Sequence, residues 1–187
     1  MLAAMTTQEA DLVMLGDSLT EFGEWSALLP GVRVVNRGIR GNTTGDLDRR
    51  LEDALRVEAP VYSLTIGIND LSRGATADEV IEGIVGLIAR VRARWPAALM
   101  IVTSVPPIDP AQFGSMELVA TVQRVNAAIA ARAPALGARY LDIGAAMATT
   151  QGTLRPELSE DGVHLTEAAY LLWAATLRAT LRGKAGR

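Results

Sequence analysis

The stretch Asp11-Leu12-Val13-Met14-Leu15-Gly16-Asp17-Ser18-Leu19-Thr20 decides the fold. Asp11–Gly16 is an apolar run of strand length, and the Gly-Asp-Ser that closes it is turn chemistry. Four further runs of this kind follow, at Val32–Asn36, Val61–Ile66, Leu99–Ser104 and Arg139–Ile143. The segments between them carry helical periodicity. Leu47, Leu51 and Leu55 share one helical face, and Val80, Ile84, Leu87, Val91 and Trp95 repeat at helical spacing, as do Leu118, Val122, Val125 and Ile129. A last helix is expected from about Thr166, as N-cap, to Leu181. Strands and helices alternating in this way predict an α/β fold with a parallel sheet. Right-handed crossovers then favour a three-layer α/β/α sandwich, with function at the carboxyl ends of the strands.

The 187 residues read as a single domain, 1–187, long enough to bury a core without staples. There is no cysteine, which excludes disulfide scaffolds, thiolate metal sites, iron–sulfur ligation and cysteine nucleophiles together. A single histidine excludes a His-rich metal site. Hydrophobic residues make up 49% and charged residues 21%, a globular composition rather than a disordered one. With Lys+Arg 18 against Asp+Glu 21 the net charge is −3, so no overall positive field draws in a nucleic acid. The longest apolar stretch, Ala168–Ala175, falls far short of the roughly 20 residues that span a bilayer. Residues 1–10 carry neither the basic nor the long apolar region of a secretory signal, so a cytoplasmic location is expected. No repeat or low-complexity linker divides the chain, and Arg182–Arg187 reads as a frayed tail.

Chemically capable residues stand at three strand ends and before the last helix. Ser18 is either a turn or cap residue, or a nucleophile whose hydroxyl is free to reach an ester carbonyl. In Asn36-Arg37-Gly38-Ile39-Arg40-Gly41-Asn42-Thr43-Thr44, Gly38 either permits a positive φ in a turn or leaves its N–H open to a ligand. Asn69, in Gly67-Ile68-Asn69-Asp70, either caps a turn or donates to a developing oxyanion. The most specific feature is Asp161-Gly162-Val163-His164. A lone histidine is more often structural than catalytic. A carboxylate three residues upstream changes that, because one tight turn lets it accept from Nδ1 and leaves Nε2 facing a serine. If the chain uses a Ser–His pair, His164 is the base, being the only histidine.

Jointly and in this order, GDSLT at 16–20, Gly38, Gly67-Ile68-Asn69-Asp70 and Asp161-Gly162-Val163-His164 resemble the four motif blocks of the SGNH hydrolase superfamily, the GDSL lipases and esterases. The resemblance runs from Leu15 to Leu165 with no departure at the four name-giving residues. It implies a flavodoxin-like, five-stranded parallel sheet in the order 2-1-3-4-5. It also implies that Ser18 is the nucleophile, His164 the general acid/base and Asp161 its orienter. The Gly38 N–H, the Asn69 side-chain amide and the Ser18 N–H would form the oxyanion hole. The chemistry agrees independently, since serine needs a base to take its proton and a tetrahedral oxyanion needs preorganised donors. No metal and no cofactor is required.

The compact length, with Asp17-Ser18-Leu19-Thr20 and Asn36-Arg37-Gly38-Ile39, is most similar to small bacterial members resembling the platelet-activating-factor acetylhydrolase α subunit. That resemblance implies short-chain, acetyl-type carboxylic esters as small-molecule substrates, including O-acetyl groups on sugars; nothing in the sequence adds a lid, so long acyl chains are not expected. The expected function is a serine esterase working through an acyl-enzyme. Two alternatives stay open: a non-catalytic flavodoxin-like module that binds an acyl group or glycan, and an acyltransferase using the same acyl-enzyme. The complete Ser/Gly/Asn/His set weighs against the first, whereas the acceptor is invisible in sequence. Arg40, Pro107 and Ile108 are candidate substrate-binding residues, while Trp25 reads as core and Asp17 and Asp70 as carboxylates that hold turns. Oligomers are frequent in such families, so a homo-oligomer is a further expectation that no particular residue marks.

Overall fold

In a computed structural model, residues 9–182 are described; the readings of residues 1–8 and of the tail at 183–187 lie outside the described residues. Five parallel strands, β1 (Leu12–Gly16), β2 (Val34–Gly38), β3 (Val61–Thr65), β4 (Leu99–Thr103) and β5 (Ala138–Leu141), form one sheet in the order β2-β1-β3-β4-β5. This is the flavodoxin-like order that the motif resemblance implies. β1 and β3 are buried throughout, while the edge strands β2 and β5 are largely half-exposed. A strand covered on both faces has to be continuously apolar, which is why the two central runs are the plainest in the sequence.

Among the described residues seven α-helices connect or flank the strands: α1 (Ser18–Glu21), α2 (Trp25–Leu28), α3 (Thr44–Ala54), α4 (Ile68–Ser72), α5 (Ala77–Arg94), α6 (Met116–Arg132) and α7 (Glu167–Arg182). The chain steps from β1 to β2 in one direction and from β2 through β3 and β4 to β5 in the other. Right-handed crossovers therefore put α3, α5 and α6 on one face, where they pack against one another, and α2 on the other, where it meets α7. Thr43 with Asp46, and Thr76 with Glu79, close reciprocal capping boxes that start α3 and α5. The reversal of direction lies between β1 and β3, so a crevice is expected beyond their carboxyl ends. Gly16 is level with Gly38 on β2 and with Thr65 on β3, which brings the residues after all three strands to the same height.

The boundaries shift in places, each for a physical reason. β2 runs two residues later than its apolar signal, because the ladder with β1 pairs Leu12 with Val34 and carries Asn36 and Arg37 along a half-exposed edge. Gly38 is consequently a strand residue and not part of a turn. β5 ends at Leu141 because Ile143 and Gly144 donate their N–H groups to Ser104 Oγ instead of to a ladder. On α6 the inward position is Val119, with Leu118 only partly buried. The Thr166 carbonyl accepts the first α7 bond, from Tyr170 N–H, as an N-cap should, but its hydroxyl turns to the Glu157 carbonyl. Among the described residues no helix is long and apolar enough to cross a membrane.

Candidate active site

Ser18 is the first residue of α1, a helix of 4 residues that is too short to be stable by itself. Its neighbours hold it in place. Asn36 Nδ2 donates to the Thr20 and Glu21 carbonyls at 3.0 Å each, Trp25 Nε1 to Thr20 O at 2.8 Å, and Tyr170 Oη to Leu19 O at 2.8 Å. Trp25 is 3% exposed and meets Trp173 edge-on, with ring centroids 4.9 Å apart, so it is the core residue that its sequence context suggested. As the first residue of a helix, Ser18 presents an N–H that has no intrahelical acceptor.

The second contributor is the turn before α7. Gly162 adopts φ +86, where a side chain is strained, and its carbonyl accepts from Asp109 N–H at 2.8 Å. Asp161 Oδ1 accepts from the N–H groups of Val163 (3.0 Å) and His164 (2.8 Å), while Oδ2 lies 2.6 Å from His164 Nδ1. A carboxylate accepts only, so Nδ1 carries a proton, and in the neutral ring Nε2 is left with a lone pair. Ser18 Oγ stands 3.0 Å from that Nε2 and donates to it. Burial works to raise the Asp161 pKa, but the bonds from the His164 ring and from the two N–H groups outweigh it and hold the value at about 2. Asp161 therefore stays ionised and fixes the tautomer that a Ser–His pair requires.

Asn69 lies on α4, just past β3. Its Nδ2 donates to the Asn42 carbonyl at 3.0 Å and more weakly to Asp17 Oδ2 at 3.4 Å. Next to it, Asp70 accepts from Thr44 N–H (3.0 Å to each oxygen) and Thr44 Oγ1 (2.6 Å), and Arg73 Nη2 donates to Gly41 O at 2.9 Å. These bonds clamp α4 to the loop after β2. Gly38 donates its N–H to Asn36 Oδ1 at 2.9 Å. It has no positive φ; the glycine is needed because a Cβ there would overlap the Glu21 N–H and the Asp17 carbonyl of α1. Close approach of two backbones, rather than turn geometry, explains this residue.

Asp17 and Asp70 occupy the turn-holding positions expected of them. Asp17 Oδ1 caps Leu19 N–H at 2.9 Å, and the residue is fully buried; burial pushes its carboxyl pKa up to about 7. Of the residues expected to touch substrate, Arg40 stands one ring away from His164, across Phe22. Its guanidinium lies over the Phe22 ring, 5.0 Å from the centroid, and that ring is 5.4 Å from the His164 ring. Ile108 is packed in the core at 1% exposure. Pro107 borders a separate groove of about 330 Å³ with Val105, Asn126 and Tyr140. The cause is the path of the chain after β4, where Asn126 bonds both the N–H and the carbonyl of Val105 and draws the segment inward.

Sequence reasoning missed Phe22, Glu21, Asn36, Asn42 and Arg50. Phe22 is 40% exposed beside the only histidine, and an aromatic four residues after a candidate serine is a signal that could have been used. The Glu21 carboxylate accepts from both the guanidinium and the backbone N–H of Arg40, a pairing 19 residues apart that no local pattern reveals. A groove of about 400 Å³ beside His164 is lined by Glu160, Asp161, Leu165, Thr166 and Glu167. Among the described residues no group of three or more His, Cys, Asp or Glu is placed to hold a metal ion.

The profile of the GDSL-like lipase/acylhydrolase family matches residues 14–172. A platelet-activating factor acetylhydrolase IB subunit alpha2 from Gallus gallus is 28% identical over 169 residues, covering 87% of this chain and 72% of that protein. A GDSL-like lipase from Bacteroides thetaiotaomicron superposes with a TM-score of 0.82 at 21% identity, covering 95% of this chain and 89% of the other. An acetylxylan esterase from Geobacillus stearothermophilus, solved as a catalytic mutant, gives a TM-score of 0.75 at 23% identity over 91% of this chain and 93% of its own. The catalytic mutants solved for that esterase are at a serine, an aspartate and a histidine.

Proposed function

The chain belongs to the GDSL-like lipase/acylhydrolase family and is a carboxylic ester hydrolase, and we propose that it acts as a serine esterase on short, acetyl-type esters through an acyl-enzyme. One observation carries the reading: Ser18 Oγ, His164 and Asp161 form an unbroken hydrogen-bonded series, 3.0 Å and then 2.6 Å. In this reading His164 Nε2 takes the Ser18 proton as Oγ attacks the ester carbonyl carbon. In the same reading the oxyanion is met by the Ser18 N–H, the Gly38 N–H and the Asn69 amide, Gly38 giving up its Asn36 acceptor and Asn69 its long contact to Asp17 while it keeps the bond to the Asn42 carbonyl. Collapse breaks the bond to the alcohol, which leaves with the proton from His164. Water then attacks the acyl group, His164 takes the water proton, and acid and Ser18 are released.

The surroundings favour an uncharged alcohol as the leaving group. Arg40 is already neutralised by Glu21, while Glu160, Asp161 and Glu167 give the neighbouring groove an acidic lining that opposes anions. Phe22, 40% exposed beside His164, offers an apolar face with Arg40 fixed over the ring. A sugar bearing O-acetyl groups has the required combination of neutral hydroxyls and an apolar ring face. The same reading takes 1–187 as one catalytic domain acting on a small-molecule ester in the cytoplasm.

The test is hydrolysis of p-nitrophenyl esters from acetate to palmitate by the wild type and by Ser18→Ala, with a fluorophosphonate to label the nucleophile. The expected outcome is a preference for acetyl to butyryl esters, labelling at Ser18, and a loss in kcat of about 10⁴-fold or more in a folded alanine variant. Undiminished turnover by Ser18→Ala overturns the mechanism, and faster cleavage of long-chain esters overturns the substrate class.

A further inference from the structure

Arg50 stands on α3, away from the Ser18–His164 pair, half-buried, with an unusual set of partners. Arg33, Arg90, Arg124 and Arg132 face carboxylates at the surface. Among the described residues Arg50 forms no ion pair; its Nε donates to Asn42 Oδ1 at 2.7 Å and its Nη2 to the Gly16 carbonyl at 3.1 Å. Each acceptor is a junction. The Gly16 carbonyl also accepts from Ile39 N–H at 3.1 Å, so one oxygen joins the end of β1, two residues before Ser18, to the residue after Gly38. The backbone carbonyl of Asn42 is the acceptor that holds Asn69 Nδ2 at 3.0 Å. The Asn69 arm and the junction of the Ser18 and Gly38 arms thus each include a residue that Arg50 grips, beside the Asn36 bonds that also tie Gly38 to α1.

We infer that Arg50 is a positioning residue for the oxyanion hole, its guanidinium bracing the Asn42–Asn69 arm against the junction of the Ser18 and Gly38 arms. The inference rests on the esterase reading above. A guanidinium suits the task because its planar fork offers donors along two fixed directions at once, whereas an ammonium is a point charge that satisfies one acceptor well. Burying that charge lowers the Arg50 pKa from its ordinary value, chiefly by desolvation and then by the nearby Arg37. A methionine of similar length would avoid this cost, so stability alone does not explain a cation at this position. Positional precision does, because displacing a reacting group by about 1 Å costs on the order of 100-fold in rate.

The experiment uses the full chain with p-nitrophenyl acetate and the variants Arg50→Met, Arg50→Lys, Asn42→Ala and the Arg50→Met/Asn42→Ala double variant. Wild type against Ser18→Ala first decides the esterase reading by itself. Arg50→Met should lower kcat by about 10- to 100-fold with KM changed less than threefold. Arg50→Lys should fall between Arg50→Met and wild type. The double variant should lose no more than the worse single, because both changes release the same arm. In parallel, the side-chain amide signals of Asn42 and Asn69 in a ¹H–¹⁵N spectrum should shift in Arg50→Lys, a readout that needs no activity. Wild-type kcat in Arg50→Lys, losses that multiply in the double variant, a loss confined to KM, or unmoved Asn69 amide signals would each overturn the assignment.

Discussion

Two turns supply the Ser18–His164 pair, and each carries a carboxyl group that the surrounding protein treats in the opposite way. In the nucleophile turn Asp17 is fully buried, receives one backbone N–H at 2.9 Å, and is pushed up to about 7 by desolvation. In the histidine turn the Asp161 side chain is 53% exposed, receives two N–H groups and the imidazole, and is held at about 2 despite its partial burial. The number of donors and access to water decide the protonation state, not the residue type. The exposed aspartate acts on its neighbour as a charge. The buried one acts through its shape and hydrogen bonds, and loses little by being neutral.

The largest effect should come from removing the charge of the histidine turn. Asp161→Asn keeps an oxygen for the Val163 and His164 N–H groups, so the turn should fold. Its NH₂ would face Nδ1, which must then accept, leaving the proton on Nε2 where it blocks transfer from Ser18. A fall in kcat/KM of about 10³- to 10⁴-fold is expected, measured with the acetate ester. A loss below tenfold would mean that the charge contrast between the turns has no catalytic content. The sign for stability is also defined. With a folded pKa below the ordinary 3.8, Asp161 stabilises the native state above that value, and the contribution disappears as pH falls from about 4 towards 2. Activity lost near neutrality on acidification is therefore not due to protonation of Asp161.

A smaller effect tests the part of the site that touches the buried carboxyl only through a long contact. Asn69→Ala removes one of the proposed oxyanion donors and should reduce kcat by about 10²- to 10³-fold, roughly 2.7–4 kcal/mol, with a lesser change in KM. A rise in KM at constant kcat would instead show that Asn69 binds the ground state.

How much of this was legible in the sequence follows the same division between local and distant contacts. The DGVH turn, the GDSLT turn and the buried central strands declare themselves because their determinants lie within a few residues of each other. The sheet order followed from resemblance to a known family, and the family match covers most of the chain. Gly38 was identified, but its reason was not, since the atoms that exclude a Cβ belong to α1, 17 to 21 residues earlier in the chain. Pro107 and Ile108 follow a strand at its carboxyl end, where substrate contacts are expected, yet Asn126 pulls that segment away through a pairing over 21 residues. Arg50 was silent for the same reason, since its acceptors lie 8 and 34 residues away.

The smallest catalytic effect, and the clearest thermodynamic one, belongs to Asp17. In the unfolded chain its pKa is the ordinary 3.8 and in the native state about 7, so between these values the folded protein binds a proton that the unfolded chain has released. Stability from this group therefore falls as pH rises from about 4 to 7 and is flat beyond, by an amount on the order of a few kcal/mol at about 1.4 per unit. Asp17→Asn imitates the neutral form and removes the dependence. Its Oδ1 can still accept from Leu19 N–H, but its NH₂ would confront Asn69 Nδ2 where a carboxyl oxygen now lies 3.4 Å away. That contact is long and its loss should cost less than about tenfold in kcat, roughly one hydrogen bond. Unfolding free energies of wild type and variant, measured from pH 4.5 to 8, should give a difference that declines with pH in favour of the variant, the shared titrations of other groups cancelling. A difference that grows in favour of the wild type would mean that the ionised carboxylate is the native form, and the contrast between the two turns would be gone.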